Sequence, residues 1–295
     1  MKTKILVTGG LGFIGSNLVD TLIKKENNDV HVIDNLKSGS EDYKNNKAKY
    51  YIQDIRDVFK EEYSELIENL GTLKIIFHLA ALPRIQESLK NPGETISVNS
   101  YGTLQIAELA RKFNARVVYA STSAIEGGIF LNPYCYSKWL GEEHFRLYNK
   151  LYGLKTGIVR FFNVYGNRHP TDGAYVTVVS VFEQQCLKNT PLTITSDGEQ
   201  RRDFINVTDI CEGLIEISTN KWDCEVFNLG SARNLSINEL AKIFSHEIRY
   251  IPAREGEMRE TLADISFTQK KLNWKPIIKI EDYILDWVEK NKKLK

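Results

Sequence analysis

VTGGLGFIGSNL, residues 7–18, is the stretch that decides the fold. It follows the apolar run KILV and opens an amphipathic stretch from Phe13 to Lys25, so a strand turns directly into a helix. Gly10, Gly12 and Gly15 form G-x-G-x-x-G, with Gly9 beside them. Glycines so spaced let the backbone turn tightly, approach a pyrophosphate and pack the helix on the strand, while the helix N-terminus offers N–H groups to the anion. Gly9, Gly12, Phe13, Ile14 and Gly15 are therefore candidate phosphate-binding residues. Asp34 ends the next β-branched run, DVHVID, about 20 residues on, where a carboxylate accepts from a ribose 2′-hydroxyl. Asn35 follows it. An acid there repels a 2′-phosphate and no arginine follows immediately, so the pattern predicts NAD rather than NADP.

The same rhythm continues through KYYIQD, KIIFHLAA, ARVVYAS and KTGIVRFF, with helical segments over Asn91–Phe113 and Tyr134–Tyr152. Strands alternating with helices indicate βαβ units and a parallel sheet. The expected fold is α/β, a Rossmann-type doubly wound parallel sheet with a smaller, interleaved C-terminal lobe. PLTIT and EVFNLG mix with the helical patterns VTDICEGLIEIS and SINELAKIF in that lobe. The expected boundaries are 1–163 plus about 206–228 for the dinucleotide domain and about 164–205 plus 229–295 for the second lobe.

Composition narrows the partners. The 39 basic and 38 acidic residues leave a net charge of +1, and no segment gathers cations into a nucleic-acid-tracking run. No stretch approaches the roughly 18 apolar residues of a membrane span, and the apolar run of MKTKILVTGG is too short for a signal peptide. A cytoplasmic location is expected. The four cysteines lack CxxC spacing and the five histidines lack HxxxH or HExxH, so neither a disulfide framework nor a metal site is indicated.

ASTSAIEGGIFLNPYCYSK, residues 120–138, gathers the chemistry. Ser121, Thr122 and Ser123 end the strand ARVVYAS, at the sheet edge where open α/β folds bind ligands. Tyr134 and Lys138 stand at i and i+4, on one face of a helix. A phenol with a pKa of ~10 needs about 4 kcal/mol of preferential stabilisation to ionise near neutrality. An adjacent ammonium and a positive nicotinamide ring can supply that. Tyr43 and Lys47 repeat the spacing in a polar stretch without neighbouring hydroxyls and are expected on a solvated face.

Taken together, TGGLGFIGS, VIDNLKSG, QDIRD, FHLAA, NSYGT, YAST, PYCYSK, RFFNVYGNR, RRDFINVTD, FNLGS and AREGE resemble the extended short-chain dehydrogenase/reductase family. The branch they resemble is that of the nucleoside-diphosphate-sugar epimerases and dehydratases, of the UDP-glucose 4-epimerase kind, over almost the whole chain. The resemblance implies that Asp54 and Ile55 meet the adenine, that Ala80 and Ala81 line the cofactor groove, and that Asn99 supports the active site. It implies that Tyr134 is the acid/base, that Lys138 also holds the nicotinamide ribose, and that Thr122, with Ser123 as alternate, bonds the reacting sugar oxygen. Asn163, Arg202, Arg254 and Glu257 match positions that grip the nucleoside diphosphate, as arginine forks suit phosphate oxygens. The bland alternative for Arg202 and Arg254 is a surface ion pair with the adjoining Asp203 or Glu255. A homodimer through the helices around 91–113 and 134–152 is implied in the same way.

Within the family, dehydratases resembling this one place an Asp-Glu pair after the threonine, and UDP-glucuronate decarboxylases place a glutamate where Ala124 stands. Ser123 and Ala124 occupy those positions here, which leaves a 4-epimerase of a UDP-hexose. Arg84 in HLAALPRIQESL resembles enzymes that handle N-acetylated or otherwise substituted sugars. The short loop between Thr122 and Tyr134, with Glu126 where relatives have an aromatic residue, departs from the pattern and predicts a more open sugar site. Rival readings are a 4-keto-sugar reductase, which Asp34 disfavours, and a non-catalytic NAD-binding protein, which retention of Tyr134 and Lys138 disfavours.

Overall fold

A computed structural model describes residues 2–171, 173, 176–253 and 258–291. Among them the strands run β1 Thr3–Thr8, β2 Asn28–Asp34, β3 Lys49–Ile52, β4 Leu73–His78, β5 Arg116–Thr122, β6 Thr156–Phe161, β7 Asn163–Tyr165, β8 Leu192–Thr195, β9 Arg201–Asn206, β10 Asp223–Leu229, β11 Asn234–Ser236 and β12 Ile248–Ile251. The helices are α1 Phe13–Ile23, α2 Ser64–Leu70, α3 Ile85–Lys90, α4 Pro92–Ile96, α5 Gly102–Phe113, α6 Pro133–Tyr152, α7 Val178–Leu187, α8 Val207–Ser218, α9 Ile237–Phe244, α10 Ser266–Lys271 and α11 Ile280–Asn291. The chain divides into two units, Met1–Arg160 with Cys211–Phe227 and Phe161–Ile210 with Asn228–Lys295.

The first unit is built on a seven-stranded sheet in the order β10-β6-β5-β4-β1-β2-β3. β1 pairs in parallel with β2 and β4, β2 with β3, and β4 with β5. This is the Rossmann-type doubly wound arrangement, and the strand order reverses between β1 and β4, so the ligand crevice opens at their C-terminal ends. Burial on both faces explains the β-branched runs: Leu6, Val7, Ile33, Ile76, Phe77, Val117 and Val118 are all nearly inaccessible. Each such side chain contributes about 1.5–3 kcal/mol on leaving water. Local signals set the helix ends. Asn132 caps α6 by accepting from Cys135 N at 2.9 Å, Pro133 fills its first turn, and Gly153 ends it in a left-handed conformation (φ 68°).

The segment expected as one helix over 91–113 is interrupted. α4 passes through a π-helical turn at Ser97–Tyr101 before α5 begins. Such a turn inserts an extra residue and recurs at functional sites; here it holds Asn99, which is fully buried.

The second unit holds a three-stranded sheet, β11-β9-β7, and the parallel pair β12-β8. Tyr165, Phe182, Leu192, Phe204, Leu240 and Ile284 form the centre of its core. α9 opens with a full capping box between Ser236 and Glu239.

Candidate active site

The glycine turn after β1 fits a dinucleotide. Gly9 has φ +72°, and a Cβ there would lie 2.8 Å from Ala80 N and 2.9 Å from Ala80 Cα. Glycine therefore lets the loop after β1 touch the loop after β4. A Cβ on Gly15 would lie 2.0 Å from Gly9 O, so α1 passes directly against the turn. Gly12 differs: a Cβ there would meet Gly9 O at 3.3 Å and nothing nearer. Gly12 caps α1 with no side-chain cap and no acid in the first turn, which leaves the helix end, at Phe13 and Ile14, suited to an anion.

Asp34 is buried at the end of β2, with Oδ2 accepting from Leu11 N at 2.9 Å and Oδ1 from Leu36 N at 2.8 Å. Burial raises its pKa against these two bonds. The carboxylate thus fixes the glycine turn, and each oxygen keeps a lone pair for a ribose hydroxyl. Asp54 accepts from Arg56 N and Nε at 2.9 Å, from Arg56 Nη2 at 2.9 Å and from Asn35 Nδ2 at 3.0 Å. Arg56 and Lys37 both pair with Glu94 at 3.0 Å. Lys37 and Arg56 are thereby both committed to carboxylates. Ile55 lies beneath, against Gly102, where a Cβ would come within 2.6 Å of Ile55 Cδ1.

Thr122 ends β5 and caps the short turn Ser123–Gly127 by accepting from Ala124 N at 3.2 Å. Tyr134, in the first turn of α6, stands near enough to Thr122 for that hydroxyl to act on its pKa. Lys138, 3% exposed, lies with Nζ 4.4 Å from the centre of the Tyr119 ring. The lowering expected of the Tyr134 phenol calls on the Lys138 ammonium together with a bound nicotinamide ring; in the chain by itself the balance is different. Burial dominates and pushes the phenol up to about 12, while the Thr122 hydroxyl and the positive charge of Arg84 pull it down. Burial likewise pushes Lys138 down to about 7, with Glu142 opposing. Both shifts favour a neutral pair, because burial penalises any charge.

Several supports bind this centre to the sheet. Asn99 Oδ1 accepts from Leu82 N at 2.7 Å, and its Nδ2 donates to Leu82 O at 3.1 Å and Ser137 Oγ at 3.0 Å. It joins the loop containing Ala80, Ala81 and Arg84 to α6. Sequence reasoning missed His78, which bridges Thr8 Oγ1 at 2.7 Å and Thr103 Oγ1 at 2.9 Å and is held neutral by burial and by the charge on Lys138. It also missed Glu142, whose signal was its place on the Tyr134–Lys138 stripe. Ser123 is buried beside Thr122, and Glu126 is exposed in the same turn. Tyr43 ends a 3-10 turn and Lys47 is exposed beyond it, so they share no helix.

In the second unit, Asn163 Nδ2 donates to Asp203 O at 2.9 Å and Thr261 Oγ1 at 3.2 Å. Arg202 Nη1 donates to Arg201 O at 2.9 Å. Asp203 does not serve as its ion-pair partner: its carboxylate is buried and accepts from Ser231 N, Ser231 Oγ and Ala263 N. Arg254 and Glu257 lie outside the described residues. Among the described residues no helix is long and apolar enough to cross a membrane, and no group of three His, Cys, Asp or Glu could hold a metal ion.

A parallel sheet with a glycine turn, an acid after β2 and a Thr-Tyr-Lys cluster at the end of β5 defines a short-chain dehydrogenase/reductase. The profile of the NAD dependent epimerase/dehydratase family matches residues 5–230, and the chain belongs to that family. Its cofactor is NAD. A Methanocaldococcus jannaschii protein, provisionally assigned as a UDP-glucose 4-epimerase, is 36% identical over 97% of this chain and 99% of its own. The crystal structure of UDP-glucose 4-epimerase from Thermotoga maritima, with UDP-glucose, is 32% identical and superimposes with a TM-score of 0.89 over 99% of both chains. UDP-N-acetylglucosamine 4-epimerase from Methanobrevibacter ruminantium M1, in complex with UDP-N-acetylmuramic acid, is 30% identical with a TM-score of 0.88 over 100% of both. Relatives also include UDP-glucuronic acid decarboxylase 3 of Arabidopsis thaliana, 32% identical over 95% of this chain and 86% of its own.

Proposed function

We propose that the protein inverts C4 of a UDP-linked hexose, N-acetylated or otherwise substituted, through a transient 4-keto sugar. The observation that carries this reading is the Thr122–Tyr134–Lys138 cluster followed by Ser123 and Ala124, with no carboxylate beside Thr122 to drive loss of water or carbon dioxide.

NAD, when bound, would supply a positively charged ring and reversible acceptance of hydride from carbon. The protein does the rest. Thr122 and Tyr134 share the sugar 4-hydroxyl, and its proton passes to Tyr134 Oη as C4 is oxidised. Lys138 holds the nicotinamide ribose and stabilises the phenolate. Asn163 and Arg202, with Arg254 and Glu257, hold the nucleoside diphosphate while the keto sugar turns over about that anchor. Tyr134 then returns the proton to the C4 oxygen, now on an inverted centre, and no net oxidation results. The homodimer belongs to the same reading, with Tyr101, Leu147 and Leu151 exposed on the two helical segments assigned to it.

Arg84, between β4 and α3, is the residue that supports a substituted hexose over an unsubstituted one. Incubation with UDP-, dTDP- and GDP-sugars, neutral, N-acetylated and acidic, followed by proton NMR of the anomeric region, tests both. A new 4-epimer supports the function and names the sugar; a 6-deoxy-4-keto product or a pentose overturns it.

A further inference from the structure

Glu142 lies one helical turn beyond Lys138 and is completely buried. Its carboxylate accepts from Ser121 Oγ at 2.7 Å, from Arg160 Nε and Nη2 at 3.0 Å, and from Arg146 Nη2 at 2.9 Å. A buried ion pair is a poor device for stability, since apolar residues of similar volume often do as well. Its placement is more telling. Tyr119 and Ser121 are i and i+2 on β5 and share one face of the strand. Both engage α6: Tyr119 OH donates to Lys138 O at 3.2 Å, and a Cβ on Gly141 would lie 2.1 Å from that hydroxyl. Ser121 holds Glu142, and the next residue of the strand is Thr122. Strand and helix are thus keyed together at two places, both to one side of the point where Thr122 approaches Tyr134.

We propose that Glu142 is a positioning residue that keeps α6 in register with Thr122 and sets a buried negative charge one turn from Lys138, a role that rests on Tyr134 and Lys138 being the catalytic pair. Other groups face that pair. His78 from β4 is neutral, the Tyr119 ring from β5 lies under Lys138, Arg84 ahead of α3 acts on Tyr134, and Cys135 stands beside Tyr134 on α6. Among the described residues, Glu142 is the group whose charge favours the ammonium of Lys138. Arg146 and Arg160 temper that charge.

The test reads Lys138 directly, by NMR titration of ε-carbon-labelled lysine in the full chain with NAD, the Lys138 signal being the one lost in Lys138→Met. Glu142→Gln lowers its midpoint by about one pH unit. Arg160→Gln, which leaves the carboxylate less neutralised, raises it, and serves alone if Glu142→Gln does not fold. Unmoved midpoints overturn the electrostatic role. Ser121→Ala keeps the charge and cuts the key to the strand, so it leaves the midpoint in place but lowers kcat about tenfold or more with little change in KM; wild-type kcat overturns the positioning role. If Tyr134→Phe keeps full turnover, the catalytic assignment fails instead, whatever the lysine titrations show.

Discussion

Two glycines of one motif are predicted to fail in different ways when given the same methyl group. At Gly15 a Cβ would lie 2.0 Å from Gly9 O and 2.8 Å from Gly10 Cα, both backbone atoms. Ordinary contact needs about 3.4 Å, so α1 must back away from the turn by more than an ångström. Overpacking of this kind costs about 1–3 kcal/mol, more than the roughly 0.5–1 kcal/mol that alanine gains over glycine within a helix. Gly15→Ala therefore melts below wild type and, with the helix end displaced, binds NAD weakly. At Gly12 the backbone is extended (φ −82°) and the added atom meets Gly9 O at 3.3 Å. Gly12→Ala therefore melts within about 1 kcal/mol of wild type. Its methyl group instead takes the space assigned to the pyrophosphate, and NAD affinity drops at least tenfold, or about 1.4 kcal/mol. Calorimetric titration with NAD and thermal melts of both variants without NAD separate the effects. A Gly12→Ala protein with wild-type NAD affinity would refute the placement of the pyrophosphate at this helix end.

Three further outcomes follow from the site. Tyr134→Phe loses about 10²–10⁴-fold in kcat while keeping NAD, and Thr122→Val loses more than Ser123→Ala, because Thr122 is the hydroxyl that acts on the Tyr134 phenol; steady-state rates and retained NAD check both. Asp34→Asn turns one acceptor into a donor against Leu11 N or Leu36 N, so NAD binds about tenfold more weakly and the preference over NADP narrows, read by titration with each. Burial depresses Lys138 from 10.5 to about 7, so the unfolded chain binds the extra proton between those values and stability rises with pH across that window. Denaturant melts of Lys138→Met against wild type then show the variant's excess stability largest near and below pH 7, shrinking as pH rises towards 10.5.

What the sequence made legible was local. Glycine spacing, the acid closing β2 and the Tyr134–Lys138 pair sit within single turns, and strands buried on both faces announce themselves by β-branched runs. Glu142 was illegible because an acid on a helix reads equally well as solvated. Its burial is decided by Ser121 and Arg160, on other elements. Asp203 beside Arg202 invited an ion pair, yet Ser231 and Ala263, brought near by folding, turn it inward. RRDFIN gave no periodic signal because β9 is short and polar at its start, and it pairs with strands of three residues, too short to show alternation. The depth at which Tyr134 and Lys138 are buried was illegible for a related reason: chain spacing brings the two close but says nothing of burial.

In the proposed reaction C4 is oxidised and then reduced on the same bound sugar. A UDP-hexose identified as substrate and carrying deuterium at C4 tests it most directly, with the product analysed by NMR and mass spectrometry. The expected product has an inverted C4 that keeps its deuterium, with none lost to water. Inversion with washout of the label, or deuterium moved to another carbon of the sugar, would contradict it.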